Sequence, residues 1–262
     1  MNSLGVLMKK EYSQVLRDFK VIWLPLVFVF LGATQPIMTY YLPVILEVLG
    51  GTQGISIDPT MIEQTGGQVL AATLGSQFDQ LGIMIIVIAM MGLIQSDKSS
   101  GMLAFILTRP VTVSSYIGGK LVFNYLLVSV SVGIGYFISL LYIHFLFTSV
   151  ELSQLIGALL CYLVWVLFSV SFITMLSAVL NSQALIAIVG IITLLICRML
   201  VGLHPMLDAV NPAGMSQHAM NLLISGSIGA NLSINLLVTI IWVLLTVIIT
   251  HYWILQKKFH ES

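Results

Sequence analysis

Charge is what this chain has least of. Only 8% of its 262 residues are Asp, Glu, Lys or Arg, against roughly 25% in a soluble domain, so a water-facing surface could not be covered. That shortage excludes an ordinary soluble enzyme, a disordered tail and a nucleic-acid-binding module. Cysteine is nearly absent as well. Cys161 and Cys197 both lie inside apolar runs, so no disulfide framework, CxxC site or other metal centre is expected. The N-terminus mixes charges with apolar residues and lacks both the unbroken apolar stretch and the small-residue cleavage site of a signal peptide; it is expected to stay on the mature chain.

What is present is apolar length. The hydrophobic share is 58% and the mean hydropathy +1.06, which together indicate an all-α integral membrane protein read as one domain over 1–262. Uncharged stretches of about 20 residues place spans at 21–46, 79–95, 121–147, 152–180, 184–201 and 233–255. The second is the least certain in length. Its core from Leu81 to Gln95 falls short of the roughly 30 Å hydrocarbon thickness at about 1.5 Å per residue, so it should extend upstream past Asp79. Asn181, Ser182 and Gln183 divide spans four and five.

Orientation follows from Lys and Arg in the loops. Lys9, Lys10, Arg17 and Lys20 precede span one, Lys98, Arg109 and Lys120 lie between spans two and three, and Lys257 and Lys258 follow span six. All nine fall on one side of a six-span chain, whereas Glu47, Asp58, Glu63, Glu151 and Asp208 fall on the other. Both termini are therefore expected in the cytoplasm.

Two segments fit neither a span nor a simple loop. In 4–19, Leu4, Met8, Tyr12, Val15, Leu16 and Phe19 recur at helical spacing with basic residues on other faces, as in a helix lying in the membrane interface. The outer segment from Gly202 to Leu232 carries Pro205 and Pro212 yet is apolar at Met220 to Ile224; short re-entrant helices are expected there, since such backbone survives at membrane depth only when protein covers it.

The segment 97–113 joins spans two and three. Met102, Leu103, Phe105, Ile106 and Leu107 form a short apolar helix that Pro110 stops, and Ser114 is placed to cap the next span. Such a helix suits a groove on a soluble partner; it would equally serve as a connecting loop with its apolar residues on lipid. The pattern Asp97, Gly101, Leu103, Leu107, Thr108, Pro110, Val111, Thr112 and Gly119-Lys120 resembles the signature of ATP-binding-cassette (ABC) type 2 permeases. Met102, Ala104 and Val113 depart from it, standing where Thr, Glu and Arg are usual. The resemblance extends to the order of the amphipathic helix, six spans and outer segment.

This resemblance implies an exporter permease in a bacterial-type plasma membrane, pairing with a second permease copy and with two copies of an ATPase subunit. Contacts with that ATPase would fall on Asp97, Gly101, Met102, Leu103, Phe105, Ile106, Leu107, Thr108, Arg109 and Pro110. ATP and Mg would be held by the partner, since no Walker A sequence occurs here; no cofactor, catalytic residue or nucleic acid is expected for this chain.

Polar groups within spans are the remaining candidates for a translocation path, because charge at the bilayer centre costs about 3 kcal/mol on insertion scales. Gln35, with Pro36 and Pro43, could bend span one. Asn124 could simply mediate helix contact. Asp79 is a rim charge if span two starts at Leu81, and a buried, paired one if it starts near Val69. Arg198 either reaches outer headgroups, pairs with Asp208, or meets an anionic substrate. Two rival classes are weaker: an intramembrane protease would need a Gly-x-Ser-Gly context or paired glutamates that are missing, and a secondary transporter or channel would need more midplane charge.

Overall fold

A computed structural model describes residues 3–50, 64–107, 112–227, 229 and 231–260. Every regular element among them is helical: α1 (Ser3–Arg17), α2 (Lys20–Gly50), α3 (Gly66–Ala72), a π-helical stretch (Thr73–Gly82), α4 (Ile83–Met90), α5 (Gln95–Ser99), α6 (Met102–Leu107), α7 (Val113–Leu146), α8 (Leu152–Val179), α9 (Gln183–Met199), α10 (Pro205–Val210), α11 (Gly214–Ser225) and α12 (Leu232–His260). Five helical runs are long and apolar enough to cross a membrane. The remaining apolar helix, α9, has 17 residues, the lower edge of the usual spanning range of about 17–25.

Span two is the long run Gly66–Ser99. Its start is fixed by a capping box in which Thr65 Oγ1 accepts from the Gln68 amide and the Gln68 side chain accepts from the Thr65 amide, satisfying two of the amides that a helix start leaves open. The upstream extension past Asp79 is therefore 13 residues long, and it places Asp79 inside the bundle at 0% exposure. The rim position is ruled out by this longer helix. At the start of α7 the capping oxygen belongs to Thr112, which accepts from the Ser115 amide. Ser114 is not the cap; its hydroxyl lies 3.5 Å from His251 Nδ1.

Two contacts define the ends of the bundle. At one end α1, α5, α6, the start of α7, the end of α8 and the last turns of α12 converge, with Ile94, Leu103, Val113, Tyr116, Ile117, Ala178 and Ile254 in one apolar cluster. At the other, the Gly66 amide donates to Thr148 Oγ1 at 2.9 Å, and α11 packs on α3 and α8. α1 joins span one through a sharp turn, where Phe19 takes a left-handed φ of 55°.

Lipid tails are as apolar as the helices, so helix association depends on close packing and interhelical hydrogen bonds. Spans one and three meet where Gly32 and Gly135 face each other: a Cβ on Gly32 would collide with the Gly135 backbone, and one on Gly135 with the Phe28 backbone. Thr73 and Ser139 hydroxyls bond at 3.1 Å between spans two and three. Asn235 Nδ2 donates to the carbonyls of Asp208 and Asn211 at 2.8 Å each, fastening α10 to α12. The outward faces of α2 and α12 remain apolar and exposed, as at Phe30, Met38, Leu237 and Ile241.

Candidate functional site: two buried charge networks and an exposed short helix

The segment joining spans two and three is built in three steps. Residues 91–94 break α4 from α5, and Ser177 of α8 braces the break: its Oγ accepts from the amides of Ile94 and Gln95 at 2.9 Å and donates to the Met91 carbonyl at 3.0 Å. Lys98 Nζ then donates to the Ala178 and Leu180 carbonyls at 2.7 and 2.8 Å. A cation closing the C-terminal carbonyls of α8 is favoured by that helix's dipole. Gln95 Nε2 adds a bond to the Asn181 carbonyl at 2.9 Å. Finally Gly101, at φ 71°, turns the chain into α6, a conformation that costs a side-chain-bearing residue roughly 1–2 kcal/mol.

α6 presents two faces. Leu103 is buried in the apolar cluster, while Met102 is 41% and Phe105 55% exposed. A bulky apolar pair held outward by a buried anchor is a surface on which a groove-bearing partner could close. Ile106 and Leu107 lie in α6 but their side chains fall outside the described residues, as do Thr108, Arg109 and Pro110 altogether.

Asp97 points inward. It is 5% exposed, accepts from Tyr116 Oη at 2.7 Å, and pairs with Lys120 Nζ at 3.0 Å and Lys10 Nζ at 3.6 Å. Lys120, at 1% exposure, also pairs with Glu11 at 2.9 Å. Two cations and two carboxylates thus tie α1, the α5 end of span two and span three into one balanced cluster. Charges this buried persist only when each is paired. Sequence reasoning had Lys120 as a loop charge and passed over Glu11; the signal available was Tyr116 and Lys120 at i, i+4, one face of α7.

A second network lies in the other half of the bundle. Arg198 Nε of α9 meets Asp79 Oδ2 of the π-helical stretch at 2.6 Å, and the Ser216 hydroxyl of α11 donates to the same oxygen. The Arg198 guanidinium also reaches Gln217 Oε1 at 3.5 Å. The partner of Arg198 is one that the sequence reading did not offer: it is Asp79 and not Asp208, whose carboxylate accepts instead from the Gly202 amide at 2.8 Å. Gln35 sits on this span-two surface too, accepting from Ser76 Oγ at 3.2 Å and Gln77 Nε2 at 3.3 Å. Asn124 stands apart from both networks' ion pairs. It is fully buried, with Nδ2 donating to the Lys120 carbonyl at 2.8 Å.

Residues 6–258 match the family model described as ABC-2 family transporter protein. This chain belongs to the ABC-2 transporter family. The match runs from within α1 to the last turns of α12, so the family spans the chain and not one motif. The ABC-2 transporter is also similar to the uncharacterized transmembrane protein YxlG of Bacillus subtilis (strain 168), with 30% identity over 227 residues that cover 86% of this chain and 87% of the relative. As an ABC-2 protein it is a multi-pass membrane permease of an ABC transporter, a transport subunit of a kind that works with an ATPase subunit. Among the described residues no group of His, Cys, Asp or Glu could hold a metal ion.

Proposed function

We propose that this chain is the permease of an ATP-driven exporter, and that it takes its energy from a separate ATPase docked on α6. The observation that carries this reading is the construction of the segment between spans two and three: Met102 and Phe105 face outward, while Asp97 is tied to α1 and α7 and both Lys98 and the residue 91–94 bend are bonded to the end of α8. A push on α6 is therefore passed to span three and α1 through Lys120, and to the end of α8 through Lys98. In this reading both termini and α6 face the cytoplasm, in accord with the nine loop and flanking basic residues, and the membrane is a bacterial-type plasma membrane.

Two permease copies and two ATPases complete the assembly, with ATP and Mg bound by the ATPases. The exposed apolar faces of α2 and α12 provide area for the second copy, identical or paralogous, as well as for lipid. Nothing in the described residues forms a capture domain outside the bilayer, which favours export. Purification of the tagged protein from its native membrane tests the reading. ATPase activity should accompany the wild type and be lost from a variant whose residues 101–107 are replaced by a polar linker. Transport in sealed vesicles that persists without any ATPase would overturn it.

A further inference from the structure

Contact with lipid leaves a clear pattern on this bundle. Every exposed residue of α7 from Val122 to Tyr142 is apolar or aromatic, and its polar residues Asn124, Ser131 and Ser139 are buried. The exposed residues of α9 from Leu185 to Met199 are likewise all apolar. Span two breaks the pattern. Gln80 is exposed near the middle of the 34-residue run Gly66–Ser99. Lipid tails offer a carboxamide at that depth no hydrogen bond, so its contact with them is costly.

Gln80 does not stand alone. Toward α2, the half-buried Ser76 and Gln77 both donate to Gln35, which lies well inside the apolar window Lys20–Ile45 of span one. Toward α9, the Arg198 side chain is 18% exposed and lies against Gly75, where a Cβ would come within 3.7 Å of Nη2. The guanidinium reaches Gln217 Oε1, and Gln217 Nε2 donates to Asn221 Oδ1 at 3.2 Å; both amides are half-buried. One partly open polar face therefore crosses α2, span two, α9 and α11 within the spans.

The chemistry of this face says what covers it. Its one cation, Arg198, is neutralised by Asp79, and the rest is carboxamide and hydroxyl, so the face carries no net charge. A partner presenting charge would find no counter-charge here. A carboxamide both donates and accepts, so the face can bond to its own image without repulsion, as a two-fold contact between identical surfaces requires. Side chains of this kind also hold helices together in lipid.

We infer that this face is covered by a second, identical copy of the chain, with the two-fold axis near Gln80 and the carboxamides of the two copies facing each other. Span two lies in the middle of the face, between α2 and α9, and the axis of a self-paired surface runs through its middle. That the paired faces wall the transport path rests on the permease reading; the pairing itself does not.

The test produces two differently tagged copies together in their native membrane. Wild-type copies should capture each other after solubilisation. Gln80→Glu copies should capture each other about tenfold less well, and Gln80→Lys copies likewise, because like charges then meet across the axis. A Gln80→Glu copy with a Gln80→Lys copy should recover the wild-type level, which also shows that both variants fold. With Cys161→Ala and Cys197→Ala as background, a short bis-maleimide should join Gln80→Cys copies and leave Val130→Cys copies, altered on the exposed side of α7, unjoined. The inference is overturned by absent capture between wild-type copies, by capture indifferent to charge at residue 80, by no recovery in the mixed pair, or by cross-linking through Val130→Cys in place of Gln80→Cys. Paired copies that capture no ATPase would count against the permease reading and leave the interface intact.

Discussion

The two buried charge networks do different work with similar chemistry. The cluster of Lys10, Glu11, Asp97, Tyr116 and Lys120 has two cations for two carboxylates and spans α1, α5 and α7. It sits where three chain segments meet at one end of the bundle. The Asp79–Arg198 pair is a single contact within the helical bundle, reinforced by Ser216 from α11. One therefore binds the segment between spans two and three to α1 and α7; the other clamps α11 to span two and α9. Redundancy differs accordingly: Asp97 retains Lys10 and Tyr116 if Lys120 is lost, although Glu11 does not keep a cation, whereas Asp79 loses the one ion pair it makes among the described residues if Arg198 goes.

That contrast orders the expected effects. Arg198→Leu strands the Asp79 carboxylate and should cost about 3–5 kcal/mol, the range for breaking a buried pair, seen as a large fall in thermal stability in detergent. Asp79→Leu combined with it should recover most of the loss, since replacing a whole buried pair with apolar groups is often neutral. Failure of the double variant to recover would mean that packing, not charge, holds α11. Lys120→Met leaves Asp97 with Lys10 and Tyr116 but strands the buried Glu11 carboxylate, so it should cost a similar amount, about 3–5 kcal/mol. Its main effect should be on coupling: ATPase activity of the complex becomes indifferent to substrate.

Ser177→Ala removes three hydrogen bonds at the 91–94 break and should cost about 1–2 kcal/mol, with faster amide exchange localised to residues 91–98. Tyr116→Phe, which deletes one donor to Asp97, should be the mildest change, at about 1 kcal/mol in the same thermal assay. A larger loss for Tyr116→Phe than for Lys120→Met would contradict the shared-load view of that cluster.

Much of the fold was legible because apolar length reports spans directly: α2, α7, α8, α9 and α12 fall close to the stretches expected from hydropathy. Span two was the exception. Its upstream half contains Thr73, Ser76, Gln77 and Asp79, polar residues that lower hydropathy because they face other helices and not lipid. The capping box at Thr65 and Gln68 was a readable start signal, and it would have decided that Asp79 is buried. Thr112 likewise competed with Ser114 as the cap, and only the local geometry selects it.

The site was legible in part. Charge counting treated Lys10, Asp97 and Lys120 as surface groups, since a count carries no information about which helix face a residue occupies. Asp79 and Arg198 stood out singly as charges within spans; that they meet depends on span two, α9 and α11 packing together, a long-range contact that no local spacing encodes. Glu11 was hidden for the same reason, its partner lying on another helix.

The central claim is that α6 receives the ATPase and the cluster around Lys120 passes the movement on. The direct measurement compares Phe105→Asp with Asp97→Asn, scoring ATPase capture and substrate transport separately in reconstituted vesicles. Phe105→Asp should lose capture and transport together, whereas Asp97→Asn should keep capture and lose most of the transport. Full capture by Phe105→Asp, or normal transport by Asp97→Asn, would contradict the account.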